Sequence, residues 1–282
     1  MATIAIFGAG DVGGACTHAL AAADRIDHVV VIDAAANVAA GKALDIQQSI
    51  AISGSHSRLE GTGDESRAIG CRVCVIADGF APGSPEWQGE AGLTLVKRIA
   101  ALVNDVPIVF AGASQADLIA AAAREARVPA KLLIGSATEA LASAATAIAA
   151  MEAGCSPSEV ALAVLGTPAR SFVVPWSDAS IGGFALERVI SQVQLRRIEA
   201  RVARLWPPGP YALGAAAAEA VDAILSESRR SMNILTMLGG EFGARGSVGA
   251  VPALLGPRGI AQTRVPSLNT RERVLLETAL GI

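Results

Sequence analysis

The feature that most constrains this chain is a glycine-rich turn directly after its first apolar segment. Residues 3–7 read Thr-Ile-Ala-Ile-Phe, a short run rich in β-branched residues that is typical of a buried strand. Gly8-x-Gly10-x-x-Gly13 and a helical pattern follow at once. Here the first glycine permits a tight strand-to-helix turn, the second lets the backbone approach a pyrophosphate, and the third lets helix and strand pack closely. The spacing therefore predicts a dinucleotide-binding fold.

An acidic residue at the end of the next strand favours NAD as the dinucleotide. Residues 28–32 form a second apolar, β-branched run, and Asp33 follows it, twenty positions beyond Gly13. A carboxylate at this place can accept both ribose hydroxyls and repels a 2′-phosphate, which favours NAD over NADP. The alternative is that the glycines are ordinary turn residues and a helix cap. Because strand, glycines, helix, second strand and acid occur in register, we favour the dinucleotide site.

Composition limits the class of protein. The chain has 282 residues, of which 52% are hydrophobic, so it can bury a sizeable core in two domains or one large one. Its net charge of −3, without a basic cluster, argues against nucleic acid or an anionic membrane as a partner. No apolar run is long enough to span a membrane, and the first strand begins too early for a signal peptide to precede it. We expect a cytoplasmic protein with a small-molecule substrate that the sequence does not identify.

The cysteines do not predict a metal or redox site. Cys71-x-x-Cys74 lies inside a predicted strand, where positions three apart face opposite sides of the sheet. A redox pair would lie at a helix N-terminus, and a zinc site would need a second pair of ligands. We therefore expect buried, reduced thiols and no metal centre.

Strand and helix patterns alternate through the first half of the chain. Strands are predicted at 3–7, 28–32, near Leu59, and at 72–77, 107–111 and 131–134, with helices at 37–46, 93–103 and 116–127. This alternation predicts right-handed βαβ units in a doubly wound parallel sheet, a Rossmann-like domain of residues 1–137. A loop rich in Pro and Gly at 78–87 follows one strand and is expected to lie over the site.

The second half, residues 138–282, has a different pattern that predicts an α+β domain. Helices are expected at 139–151, 185–205, 212–226 and 270–280, and strands at 160–165 and 231–238, followed by a hairpin that runs to 265.

Motifs at both ends of the chain resemble those of the malate/lactate dehydrogenase family. They are the opening Gly8-Ala9-Gly10-Asp11-Val12-Gly13, then Gly-Lys-Ala-Leu-Asp at 41–45, Gly-Glu-Phe-Gly at 240–243, Gly-Ala-Val-Pro at 249–252, Gly-Pro-Arg-Gly-Ile at 256–260 and Leu-Asn at 268–269. The resemblance implies an NAD domain joined to an α+β substrate domain, and homodimers or homotetramers. It also implies the cofactor-binding residues Gly8, Gly10, Asp11, Val12, Gly13, Asp33, Ala77 and Gly79.

The residues that this family uses for catalysis are not at the matching positions. Its histidine belongs in a G-x-H-G-D pattern, where residues 166–170 read Gly-Thr-Pro-Ala-Arg, so Pro168 takes its place. Its aspartate and arginine belong in L-D-x-x-R, where residues 141–145 read Leu-Ala-Ser-Ala-Ala. We therefore expect an NAD(H)-binding oxidoreductase with altered chemistry, acting on something other than malate or lactate. The alternative is a non-catalytic, NAD-responsive regulator or partner subunit.

Two residues are weak candidates for the substrate pocket, and the catalytic residues stay unassigned. Ser114 stands where the family has an asparagine and could hydrogen-bond the nicotinamide or a substrate oxygen, with loop capping as the alternative. Arg170 could bind an anion, but it stays protonated and cannot act as a proton donor near neutral pH. The alternative for Arg170 is a surface or interdomain ion pair.

Three acidic residues near the expected cleft each allow two interpretations. A carboxylate at Asp78 would repel a pyrophosphate and lower the affinity for NAD if it pointed inward; we expect it to turn to solvent. Glu86 and Glu90 flank Trp87 in the loop, for which we expect a solvated segment with one anchoring indole rather than a cover over a cationic or aromatic substrate.

Overall fold

A computed structural model describes residues 2–81 and 86–282 of the chain. The first half alternates strands and helices as the sequence predicts. Its elements are β1 Thr3–Phe7, α1 Asp11–Ala22, β2 His28–Ile32, α2 Ala36–Ile52, β3 Arg58–Thr62, β4 Val73–Ile76, α3 Gly89–Leu102, β5 Ile108–Phe110, α4 Ala116–Arg124 and β6 Leu133–Gly135.

The second half mixes helices with short strands and one long hairpin. Its elements are α5 Ala137–Ala153, β7 Val160–Ala161, β8 Leu165–Thr167, β9 Ser171–Val173, β10 Ser180–Ile181, β11 Phe184–Ala185, α6 Leu186–Val189, α7 Gln192–Val202, α8 Pro210–Ser226, β12 Ser231–Gly239, β13 Arg245–Gly256, β14 Gly259–Thr263 and α9 Thr270–Leu280. None of the helices in the described ranges combines the length and the apolar character that crossing a bilayer requires.

Within the described residues, one large sheet runs through both halves. Its strand order is β3-β2-β1-β4-β5-β6-β12-β13-β8-β9, with β14 pairing on β13, and β1 to β6 are all parallel. The order reverses beside β1, so the carboxyl ends of β1 and β4 meet at the switch point where doubly wound folds bind ligands. The predicted doubly wound fold with an attached α+β segment is confirmed, while the domain boundary at 137/138 stays a prediction.

Alternating side chains of β1 supply two separate cores. Ile4 and Ile6 pack on one face with residues of α1 and α8, whereas Ala5 and Phe7 pack on the other with residues of α3. Small residues bring α8 close to α1, because a Cβ on Gly214 would lie 2.6 Å from the Ala15 Cβ. One of the helices that cover this face of the parallel sheet, α8, therefore comes from the second half of the chain.

Two predicted elements of the second half are wrong in their extent. The helix expected at 185–205 is interrupted, because Ile190 is extended and Ser191 begins a new helix through a capping box with Gln194. The strand expected at 160–165 is two strands in different sheets: β7 pairs with β10, and β8 pairs with β13 and β9.

The two neighbouring cysteines also differ from expectation. Cys71 precedes β4, so it does not follow the strand alternation, and its Sγ lies 3.4 Å from the Sγ of Cys74. Both are buried free thiols, as predicted. The hydrogen bond between them lowers the pKa of Cys71 and raises that of Cys74.

The close packing of the glycine turn predicts how substitutions of glycine change the stability of the protein. A Cβ on Gly13 would overlap the carbonyl oxygen of Gly8, and neither backbone can move without displacing β1. We expect Gly13→Ala to lower the free energy of unfolding by about 2 kcal/mol or more. Gly41→Ala, in the middle of α2 and with no described atom within 4 Å of its Cβ, should raise it by about 0.5–1 kcal/mol. Urea unfolding of both variants tests this, and equal effects would contradict it.

Candidate cofactor and substrate site

The predicted cofactor residues meet at the carboxyl edge of the parallel strands. Gly8 continues β1 with φ +121°, and its N–H donates to the carbonyl of Ile32 at 2.8 Å. Gly10 donates its N–H to the backbone carbonyl of Asp78 at 2.9 Å. The turn is thus held between the ends of β2 and β4. The structure brings Gly13 and the buried Ala77 side by side, because a Cβ on Gly13 would lie 3.5 Å from that of Ala77.

Asp33 lies at the end of β2 with its carboxylate fixed by backbone donors. Its Oδ2 accepts from the N–H groups of Ala9 at 2.8 Å and Phe80 at 2.9 Å, and its Oδ1 accepts from Ala35 at 2.9 Å. A carboxylate has about four acceptor positions, so capacity remains for a ribose hydroxyl. The side chain is prepositioned, and its charge disfavours a 2′-phosphate.

A cavity of about 540 Å³ adjoins Asp33 and suits the adenosine half of a dinucleotide. Apolar and aromatic side chains make most of its wall; its lining includes Phe7, Ile32, Phe80, Trp87 and Leu95. The indole Nε1 of Trp87 is buried and has no hydrogen-bond acceptor within residues 2–81 and 86–282. A largely apolar slot with the Asp33 carboxylate at one end and a spare indole donor fits a purine nucleoside.

Sequence reasoning missed part of this wall. Leu95 and Arg98 line the cavity from α3, and Arg98 pairs with Glu65, its Nη2 lying 2.9 Å from Oε1. The three-residue spacing of Leu95 and Arg98 puts them on one helix face, but the sequence does not tell which face of α3 meets the cleft.

Asp78 points into the cleft, so the expectation that it turns to solvent is wrong. Its Oδ1 accepts from the N–H of Gly13 at 2.9 Å, in the first turn of α1. The unpaired N–H groups at a helix N-terminus attract a carboxylate, and this attraction outweighs hydration of the side chain here. Of the other predicted cofactor residues on α1, Val12 is buried and Asp11 is exposed.

Glu86 has a fixed place that the sequence did not indicate. Its two carboxylate oxygens accept from the N–H groups of Ala113, at 2.5 Å, and Ser114, at 2.6 Å. The expected solvated segment is therefore wrong for Glu86, whereas Trp87 is half-buried as an anchor and Glu90 is exposed. Residues 82–85 of the predicted loop lie outside the described residues.

The weak pocket candidates Ser114 and Arg170 lie near one helix terminus. Ser114 is exposed two residues before α4, and Arg170 reaches the first turn of α4, where its Nη2 lies 3.5 Å from Oδ1 of Asp117. Both partners are largely exposed, at 75% and 91%, so this ion pair contributes little to stability. Most of the Arg170 side chain is therefore exposed to solvent.

The helix that was compared with the family's L-D-x-x-R segment is apolar at those positions. Ala142 and Ala145 are buried on α5 in a cluster with Leu141 and Val164. Pro168 is buried in the turn after β8. Glu139 opens α5 but is itself buried, with its Oε2 accepting from the backbone N–H of Asn233 at 2.7 Å, and burial raises the pKa of this carboxyl.

The three histidines lie in the first half of the chain. His28 begins β2, at the edge of the sheet opposite the cleft. His56 is exposed and pairs with Asp24 at 3.1 Å, and His18 is exposed on α1. An imidazole is therefore not placed beside Pro168.

Comparison with known proteins agrees with this geometry. Residues 2–121 match the lactate/malate dehydrogenase NAD binding domain. The chain is 28% identical to the malate dehydrogenase of Cytophaga hutchinsonii, covering 98% of this chain and 94% of that protein. It is 29% identical to the malate dehydrogenase of Rhodopirellula baltica, covering 96% and 91%. These matches support the malate/lactate dehydrogenase family as the relatives of this chain.

A solved structure extends the fold match to almost every residue. The lactate dehydrogenase of Cryptosporidium parvum, complexed with lactic acid and NAD, superposes with a TM-score of 0.89 at 23% identity, covering 99% of this chain and 95% of that one. At this identity the likeness establishes the fold. The match to the NAD binding domain and the prepositioned Asp33 carboxylate indicate the same cofactor, which is NAD.

The comparisons contradict the prediction that this chain is not an active malate or lactate dehydrogenase, together with its regulator or partner-subunit alternative. Proteins named malate dehydrogenase align along nearly the whole chain, including the half where substitutions were counted as losses. That prediction relied on single positions matched by motif, whereas catalytic groups are recognised by geometry and not by sequence position. Pro168, Ala142 and Ala145 stand at the positions where the motifs of the resembled family have histidine, aspartate and arginine.

Proposed function

We propose that this chain is an NAD-dependent malate dehydrogenase that interconverts a 2-hydroxy acid and a 2-oxo acid. The observation that carries the proposal is the alignment of malate dehydrogenases with 98% of the chain, around a cleft that fits the adenosine half of NAD. In the oxidation, the substrate loses a hydride from C2 and a proton from its hydroxyl. NAD supplies the hydride acceptor.

Different residues of this chain would bind the cofactor and orient the substrate. Asp33 would accept hydrogen bonds from the ribose hydroxyls, and the wall around Trp87 would shield the base from water. We assign Arg170 to the substrate carboxylate, because a guanidinium holds a carboxylate through two parallel hydrogen bonds. Ser114 precedes the helix α4 that Arg170 reaches, and its hydroxyl would hydrogen-bond the substrate oxygen.

The proton that leaves the substrate hydroxyl needs an acceptor other than residue 168, which is proline. Proline has no titratable proton, and arginine keeps its proton near neutral pH. Because Ser114 and Arg170 are both exposed, water reaches this side of the cleft. We propose that water exchanges the proton with the substrate hydroxyl.

A coupled prediction tests activity and the role of Arg170. We expect the purified protein to oxidise NADH when oxaloacetate is added, at a rate above that without oxaloacetate. Arg170→Ala should raise KM for oxaloacetate about tenfold, since a carboxylate contact made by arginine is lost, with a smaller change in kcat.

Arg25→Ala is the matched control, because Arg25 is also exposed and ion-paired, in this case with Asp222 on α8. No oxaloacetate-dependent oxidation in any of these proteins would refute the proposed activity. Equal KM values for the two variants would refute only the role of Arg170.

We also propose the homodimer, rather than the homotetramer, among the assemblies expected from the sequence. Apolar side chains are exposed on the two helices that flank α1, with Leu44 of α2 at 59% and Tyr211 of α8 at 86%. Analytical ultracentrifugation should give about twice the 28.5 kDa of one chain. Leu44→Glu should shift the protein toward monomer, whereas Val274→Glu on α9, similarly exposed, should not. A monomeric wild-type protein would contradict this assembly.

The other expectations about location and partners are proposals as well. A cytoplasmic location and the lack of nucleic-acid and membrane partners rest on composition and on the net charge of −3. They are consistent with a small-molecule dehydrogenase, but the proposed function does not depend on them.

A further inference from the structure

The Asp78 carboxylate occupies space inside the glycine turn. Its Oδ1 accepts from the N–H of Gly13, and a Cβ on Gly10 would overlap the Asp78 carboxylate. The backbone carbonyl of Asp78 also accepts from Gly10 at 2.9 Å. The backbone carbonyl and the carboxylate of Asp78 thus both face the turn. The carboxylate lies in space that is open only because Gly10 has no side chain.

The same space is the phosphate-binding part of a dinucleotide fold. The second glycine of the turn is small so that a pyrophosphate can approach the backbone, and the N-terminus of the following helix attracts the anion. Only the first four N–H groups of a helix lack partners within the helix and can bind an anion. The Asp78 carboxylate already accepts from one of these N–H groups and fills the space over Gly10. It would therefore repel an incoming diphosphate and overlap with it sterically.

A lysine lies close to the glycine turn, but its ammonium group has a partner other than Asp78. Lys42 of α2 donates its Nζ to the carbonyl of Gly10 at 2.7 Å. Lys42 therefore contacts the backbone of the turn, while the Asp78 carboxylate keeps its hydrogen bond from Gly13. Asp33, in contrast, lies at the end of β2 and contacts Ala9, Ala35 and Phe80, so the ribose position is free of this competition.

We propose that Asp78 is a competing internal anion, which caps α1 in the free protein and must leave Gly13 when the diphosphate of NAD binds. Asp78 then sets the affinity for diphosphate-containing ligands while leaving the affinity for the nucleoside part unchanged. This proposal rests on the proposed function only in requiring that the protein binds NAD. It does not depend on which substrate is oxidised.

Isothermal titration calorimetry with three ligands tests this proposal. Asp78→Asn removes the charge and keeps an oxygen that can accept from Gly13. We expect this variant to bind NADH and ADP about tenfold more tightly than the wild type, as expected when one close like charge is removed near the surface. Adenosine, which has no phosphate, should bind both proteins with affinities within about twofold.

Two further variants control for folding and net charge. Asp78→Ala also loses the cap of α1, so its melting temperature without ligand should fall by a few degrees, while that of Asp78→Asn should stay near the wild type. Glu277→Gln makes the same change in net charge at an exposed position of α9 and should leave all three affinities unchanged.

The outcomes separate this proposal from the proposed function. If wild type and Asp78→Asn bind ADP equally tightly, and likewise bind NADH equally tightly, the role of Asp78 is overturned and the NAD-dependent function still stands. A gain for adenosine as large as that for ADP would overturn it too, because the effect would not involve the phosphates. If neither protein binds ADP or NADH, both the role of Asp78 and the NAD-dependent function fail.

Discussion

The close contact between the glycine turn and the end of β4 determines where every group of the cofactor cleft lies. Gly8 and Gly10 connect the turn to the ends of β2 and β4 through backbone hydrogen bonds of 2.8 and 2.9 Å. Side chains at these positions would collide with the backbone or side chain of Asp78. The direction of α1 follows from this contact, and with it the place where α8 packs from the second half of the chain.

This contact also explains why the cleft has two different ends. At the ribose end, Asp33 is held by three backbone N–H groups and keeps acceptor capacity. At the phosphate end, the donors of α1 are shared with Asp78. Farther along the edge, Glu86 uses the N–H groups of Ala113 and Ser114 in the same way. The free protein therefore satisfies its exposed donors with its own carboxylates.

Local patterns were sufficient to predict the fold and the ribose end of the site. The β-branched runs of β1 and β2, the spacing of Gly8, Gly10 and Gly13, and the acid at position 33 depend on near neighbours in sequence. Their consequences are set by backbone geometry, which explains why the structure agrees with them. The cap at Ser191 could also have been found, since Gln194 completes a capping box that the helical periodicity concealed.

The orientations of acidic side chains could not be predicted in this way. Asp78 and Gly13 are separated by 65 residues, and Glu86 and Ser114 by 28, so their contacts exist only once the sheet is assembled. Hydration and a helix terminus compete for each carboxylate, and the sequence does not rank them. The function prediction failed for a related reason, because motif positions alone do not show which groups converge on a substrate.

A crystal structure of the protein with NADH bound tests most directly the claim that the cleft accepts the dinucleotide by displacing its own carboxylate. We expect a ribose hydroxyl within hydrogen-bonding distance of Asp33, the diphosphate at the first turn of α1, and the Asp78 side chain withdrawn from the N–H of Gly13. A bound dinucleotide whose diphosphate lies away from this turn, with Asp78 still accepting from Gly13, would contradict the account.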